Sequence, residues 1–215
     1  LYSKNVEINK FGGRFKYSKI NQLIDRVDNG ITSNITKVII RRDLKASLNQ
    51  FAQYELCFGN RFNINPAGYN IKSTGFTVSG SDKIAYLTDV PNKDAAGNLD
   101  GSMKGTVSIV SKNNKNQQVV LVKGAGIVDY KKGEVILNTI NFTSTVADNN
   151  IVEVQAYPES NDVVGLKDLF VSFNVSNSTI NMKEDVIASG EDVSGVVFTR
   201  DYFTSSYSNG VLERK

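Results

Sequence analysis

Histidine, the side chain that most often serves as general base or metal ligand, is absent from this sequence. The one cysteine, Cys57, therefore has no imidazole to draw off its proton. Its place between Leu56 and Phe58 in an alternating run reads as a small buried hydrophobe. Serines paired with lysines could supply a nucleophile and a base, but no spacing singles out one pair. Asp82, Asp89, Asp94 and Asp100 lie near one another in the chain, yet they lack the one-three-five spacing and closing glutamate of a calcium loop. Gly12-Gly13 and Gly124-Ala125-Gly126 are not followed by a helical period, so they read as turns rather than phosphate cradles. Nine Tyr and eleven Phe offer stacking surfaces, but Trp is missing and most of these rings alternate within apolar runs as core residues do. The expectation is a protein that is not an enzyme and uses no cofactor, metal or small-molecule substrate.

Binding is left as the function to place. The densest basic group is Lys37, Arg41, Arg42 and Lys45, which reads either as a docking surface for an acidic partner protein or as an ordinary solvated face. At the other end, residues 201–215 mix Tyr202, Phe203 and Tyr207 with polar turn formers in neither regular period. Those rings are the amphipathic anchors that interfaces enrich, so they predict a contact with another subunit, against the alternative of docking on the chain's own β body. The net charge of +3, from 25 basic and 22 acidic residues spread along the chain, argues against a nucleic-acid face. No apolar run approaches the roughly 20 residues that cross a bilayer. A single cysteine allows no intramolecular disulfide, which fits synthesis in a cytoplasm. With Leu1 in place of an initiator Met, the chain is expected to be part of a longer protein.

The elements that would position these groups begin with a helix. Ile20, Leu23, Ile24 and Val27 recur at i, i+3, i+4 and i+7, with Ser18 as N-cap and Asn29-Gly30 suited to a left-handed end, so a buried helix is predicted at 18–29. The period then changes to 2. Lys37, Ile39 and Arg41 would face one side of a strand, Val38 and Ile40 the other. A second strand is predicted at 51–58 with Tyr54, Leu56 and Phe58 inward, and 43–50 is ambiguous. From residue 65 the chain is β in character, with strands expected at 69–78, 83–89, 105–111, 118–123, 126–130, 134–142, 151–157 and 169–175. Hairpin turns fall at 112–117 and 130–133, and 91–102 is a long polar loop. A short helix at 182–189 and a last strand at 195–198 complete the reading. The fold class predicted is α+β, an N-terminal amphipathic helix followed by a mostly antiparallel β body. The division expected is 1–64, 65–175 and 176–215, or one continuous domain.

Several of these stretches also carry a resemblance. Residues 11–20 (Phe-Gly-Gly-Arg-Phe-Lys-Tyr-Ser-Lys-Ile), 24–38 and 54–60 (Tyr-Glu-Leu-Cys-Phe-Gly-Asn) resemble the baseplate wedge protein family of T4-like contractile-tailed phages, cyanophages included, which is related to the baseplate J-like proteins. Residues 126–137 and 168–173 fit the same likeness more loosely. The resemblance implies a structural protein of the virion tail baseplate, with two copies per wedge, contacts to other wedge proteins and to neighbouring wedges around the tail hub, and no enzymatic activity. It implies that this chain is a C-terminal portion. The alternative is a β-rich module of a phage tail that binds a receptor or carbohydrate.

Overall fold

The computed structural model describes Ile8, residues 10–167 and 171–184, and two short strands near the C-terminus. In chain order the elements are β1 (Arg14–Phe15), α1 (Tyr17–Asp25), β2 (Ile40–Lys45), β3 (Ala52–Cys57), β4 (Ile71–Ser73), β5 (Phe76–Val78), β6 (Ser81–Pro91) and β7 (Lys104–Lys112). They continue with β8 (Gln118–Asp129), β9 (Glu134–Ile140), β10 (Phe142–Thr145), β11 (Ile151–Ala156), β12 (Val163–Val164), β13 (Tyr207–Ser208) and β14 (Val211–Leu212). Strands take up 45% of the described residues and helix 9%, so the class is mostly β and the α+β expectation is overturned. Among the described residues the one α-helix has 9 residues and buries none of its side chains, so it cannot form a layer of its own.

That helix differs from expectation for identifiable reasons. It begins after Lys16, which offers no capping side chain, and Arg26 ends it, so Ser18 lies inside the first turn. Gly30 takes no left-handed conformation; its N–H donates instead to Asp28 Oδ1 at 2.7 Å. Of the apolar stripe, Ile20 packs on a small cluster of Ile8, Phe15 and Val163, while Leu23 is 40% and Val27 78% exposed. The stripe has the right phase but little to cover it. Leu23→Ala should therefore cost less than about 1 kcal/mol in a urea titration, the scale of a surface change, rather than the roughly 2–5 kcal/mol of a core truncation.

A seven-stranded antiparallel sheet, in the order β10-β5-β6-β7-β8-β9-β3, forms the body. Only Asn141 separates β9, next to one edge, from β10 at the other. One residue spans under about 4 Å, so the sheet must curl until its edges approach. The seam is tied by a bridge between Leu48 and Phe142 and by the Asn49 N–H donating to the Phe142 carbonyl at 2.7 Å. A three-stranded sheet, β2-β11-β4, extends the curl, and its Leu44, Ile71, Val152 and Val154 enter the same core as Leu87, Val107, Val128, Val135 and Leu137. Phe142 stands at the seam with its ring centroid 4.9 Å from Phe76 and 5.4 Å from Tyr54, both edge-on. Burying such a ring contributes about 1.5–3 kcal/mol.

The predicted strands mostly appear, with changes at glycines. The run 69–78 divides at Thr74-Gly75, and 118–123 joins 126–130 into one long strand through a bulge near Gly124, whose φ is +73°. The two hairpins form as expected, closed by the Lys112↔Gln118 and Asp129↔Glu134 pairs. The strand predicted from Lys37 starts only at Ile40. Residues 171–174 are not a strand and 182–184 are not helical; 169–170, 185–189 and 195–198 lie outside the described residues. Strand β3 pairs with β9, and β2 with β11, so residues before 64 share sheets with residues after 65. Leu1–Phe173 make one compact unit and Asn174–Lys215 a second, in which a 3-10 turn spans Val175–Asn177 and β13 pairs with β14.

One polar group is built into the core. Asp89 is 1% exposed on β6, where its carboxylate accepts from Ile71 N–H at 2.6 Å, Asn70 Nδ2 at 2.9 Å and Tyr130 O–H at 2.5 Å. Its backbone carbonyl accepts the Tyr69 N–H, and Asn70 Oδ1 accepts the Asn65 N–H. The segment 65–71 is thus pinned across the sheet by one side chain.

Candidate partner interface

The basic residues expected to dock a partner are divided by the fold. On β2, Arg41 lies opposite Gln155 and its guanidinium pairs with Asp43 (Nε to Oδ1, 2.9 Å) and Glu153 (Nη1 to Oε1, 2.9 Å). Two carboxylates of the same surface already neutralise it. Arg42 lies opposite Val154, on the face that Ile40 and Leu44 turn toward the core, and is half-buried. Lys37, ahead of the strand, is exposed. Tyr202 and Phe203 lie outside the described residues, while Tyr207 opens β13 opposite Leu212 of β14.

Sequence reasoning missed a different surface. Reading across the registers, Glu55 of β3 sits beside Ile136 of β9, then Ile127 of β8, Thr106 of β7 and Val90 of β6. Ile136, Ile127 and Val90 are 44%, 54% and 51% exposed, so an apolar row crosses the outer face of the curled sheet. The signal was in the runs Ile127-Val128 and Val135-Ile136-Leu137, which are apolar on both faces where a half-wet strand would alternate.

Parallel to this row, Cys57 lies opposite Glu134. Cys57 is half-buried on the outer side of β3 rather than in the core, because Leu56 and Phe58 take the inward positions. Its Sγ–H donates to Glu55 Oε1 at 3.4 Å. Burial first, then that hydrogen bond and the charges of Glu55 and Glu134, push the thiol up, with Arg42 opposing, so it stays protonated. Glu55, Cys57 and Glu134 place three donor atoms within 4.8 Å of one another, the set that could ligate a cation. Lys132 already meets Glu134 at 3.6 Å, and nothing further marks a ligand there. The aspartates near in sequence do not converge: Asp89 is internal, while Asp94 and Asp100 accept backbone N–H groups within the exposed loop after β6. Hydrogen bonds from Ser102, its side chain foremost and then its backbone N–H, hold the Asp100 carboxyl below its usual range. Among the described residues, no helix is long and apolar enough to cross a membrane.

No protein-family model and no curated protein matches this chain.

Proposed function

We propose that this chain is a structural subunit of a phage tail baseplate wedge, joining other copies of itself and other wedge proteins around the tail hub. It would be made in the host cytoplasm and reside in the virion tail, with no catalytic role and no cofactor. The observation that carries the reading is the resemblance at 11–20, 24–38, 54–60 and 126–137. Distant parts of that resemblance are neighbours in space, which supports treating them as one pattern. Tyr54 pairs with Leu137 and Cys57 with Glu134, the Phe58 N–H donates to the Gly133 carbonyl, and Asn60 exchanges hydrogen bonds with Val164, next to β1.

Fractionation of purified particles tests this reading. A wedge subunit stays with the baseplate core at fixed copy number. Recovery in a peripheral fraction that binds cells by itself would instead support the receptor- or carbohydrate-binding module. Lys37, the exposed member of the basic group, provides a sharper probe. Lys37→Glu should leave the melting temperature unchanged while slowing incorporation at low salt, since rim charges act on encounter and register. Equal incorporation at every salt concentration would show that Lys37 is an ordinary solvated lysine.

A further inference from the structure

Strand β8 pairs with β7 from Lys104↔Asp129 to Lys112↔Gln118, but with β9 only from Gly126↔Leu137 to Asp129↔Glu134. Past Leu137, β9 pairs with β3 alone, as at Ala52↔Ile140. Among the described residues, none pairs with the other side of 118–123. The Asn113 N–H donates to the Gln117 carbonyl, so the ladder alternates from there and the Lys112↔Gln118 and Val110↔Val120 pairs are non-hydrogen-bonded. Gln118 and Val120 therefore turn their backbone N–H and C=O groups away from β7, toward the open side. The side chains along this edge are aliphatic, with Val119, Val120 and Val122 40%, 54% and 40% exposed. Between Gln118 and Lys123 there is no charge and no proline. Charges and prolines are what keep ordinary sheet edges from pairing. Strand β2, an edge of the smaller sheet, carries Arg41, Asp43 and Lys45.

We propose that the open edge of β8 docks a second copy of this chain, the two β8 strands running antiparallel about a two-fold axis at Val120. A row of free backbone donors and acceptors recognises an extended backbone. Closure favours a copy over a foreign strand. A foreign strand would satisfy β8 but carry its own outer edge into water, whereas the second copy's β8 is already backed by its β7, so no open edge is left there. Charge favours a copy as well. Pairing about Val120 gathers the aliphatic side chains of both edges at the centre and puts the two Lys123 residues at opposite ends, about 20 Å apart at 3.4 Å per residue. A parallel arrangement would set those lysines side by side. Main-chain bonds and a few small side chains supply the affinity, so the dimer is a weak one in dilute solution. The inference does not rest on the baseplate reading, since it concerns the purified chain alone.

Sedimentation velocity of the purified full chain over a rising concentration series tests the pairing, with amide hydrogen exchange at 118–123 followed in the same samples. The chain should pass from monomer to dimer, and exchange at Val120 should slow as it does. Val120 is 54% exposed, so substitutions there act on the pairing rather than on the core. Val120→Lys should weaken dimerisation about tenfold, because an apolar pair is lost and like charges stand opposite each other across the axis. Val120→Glu should do the same. An equimolar mixture of the two variants should recover the dimer, since each lysine then faces a glutamate. That recovery is specific to two copies meeting at this residue; a foreign strand, or copies meeting elsewhere, would not produce it. A chain that stays monomeric up to about 1 mM, where even a Kd worth only about 4 kcal/mol would show, would overturn the proposal. So would dimerisation of equal strength in Val120→Lys, or a mixture that dimerises no better than its components.

Discussion

Asp89→Ala should lower the unfolding free energy by about 3 kcal/mol or more in a urea titration, because three donors lose their acceptor at once and each buried unpaired group costs about 1–3 kcal/mol. Those donors are Ile71 N–H, Asn70 Nδ2–H and Tyr130 O–H, and no water-accessible route replaces a carboxylate that is 1% exposed. Such a loss is a large share of the 5–15 kcal/mol that holds an ordinary domain folded. Tyr130→Phe removes only one of the three bonds and should cost about 1 kcal/mol. The tyrosine also gives the network a pH signature. Burial first, then the Asp89 charge, holds the Tyr130 phenol protonated far above its ordinary value of 10.0. Above pH 10 the unfolded chain releases that proton while the folded chain keeps it, so stability falls as pH rises, by up to about 1.4 kcal/mol per pH unit. The Tyr130→Phe protein should lack this component of the alkaline slope. An alkaline limb of equal steepness in both proteins would mean the phenol is not held protonated by the fold.

The second large effect is expected at Gly133, in the turn between β8 and β9. Its φ is +71°, its N–H donates to the Asp129 carbonyl, and an added Cβ would run into the backbone carbonyl of Asn60. A left-handed alanine costs about 1–2 kcal/mol before any collision is counted. The collision adds to it, because displacing Asn60 strains its bonds to Val164, at 2.8 and 3.0 Å. Gly133→Ala should thus lose about 2–4 kcal/mol. Gly97 supplies the control: its φ is +86° and nothing lies within 4 Å of an added Cβ, so Gly97→Ala isolates the conformational part. Equal losses in the two variants would show that the close approach to Asn60 does not matter.

How legible each feature was depends on how local its cause is. The turn at 112–117 is legible because its own residues close it, Asn113 Oδ1 accepting the Lys115 and Gln117 N–H groups. The inward positions of Leu56 and Phe58 follow from alternation, and the same alternation, applied consistently, puts Cys57 outward. Helix α1 shows the limit of periodicity. The stripe from Ile20 to Val27 specifies which side chains share a face, but whether anything packs on that face depends on Ile8, Phe15 and Val163, a matter of tertiary contact. Asp89 shows it more strongly, since its phenol partner lies 41 residues away and its neighbours in sequence, Asp82 and Asp94, have no part in the network. The outer apolar row is likewise a product of register: Ile136 and Ile127 become neighbours, and Val90 joins their row across Thr106, only once the sheet is assembled. Arg41 looked like a free cation because Glu153, which pairs with it, arrives from β11.

A density map of the assembled phage tail tests the central claim most directly. If the chain is a wedge subunit, the curled sheet of residues 40–156 will fit density within the baseplate ring, at fixed copy number, in contact with a neighbouring copy or another wedge protein. Finding that density only at the tip of a fibre, or finding none for this chain in the tail, would contradict it.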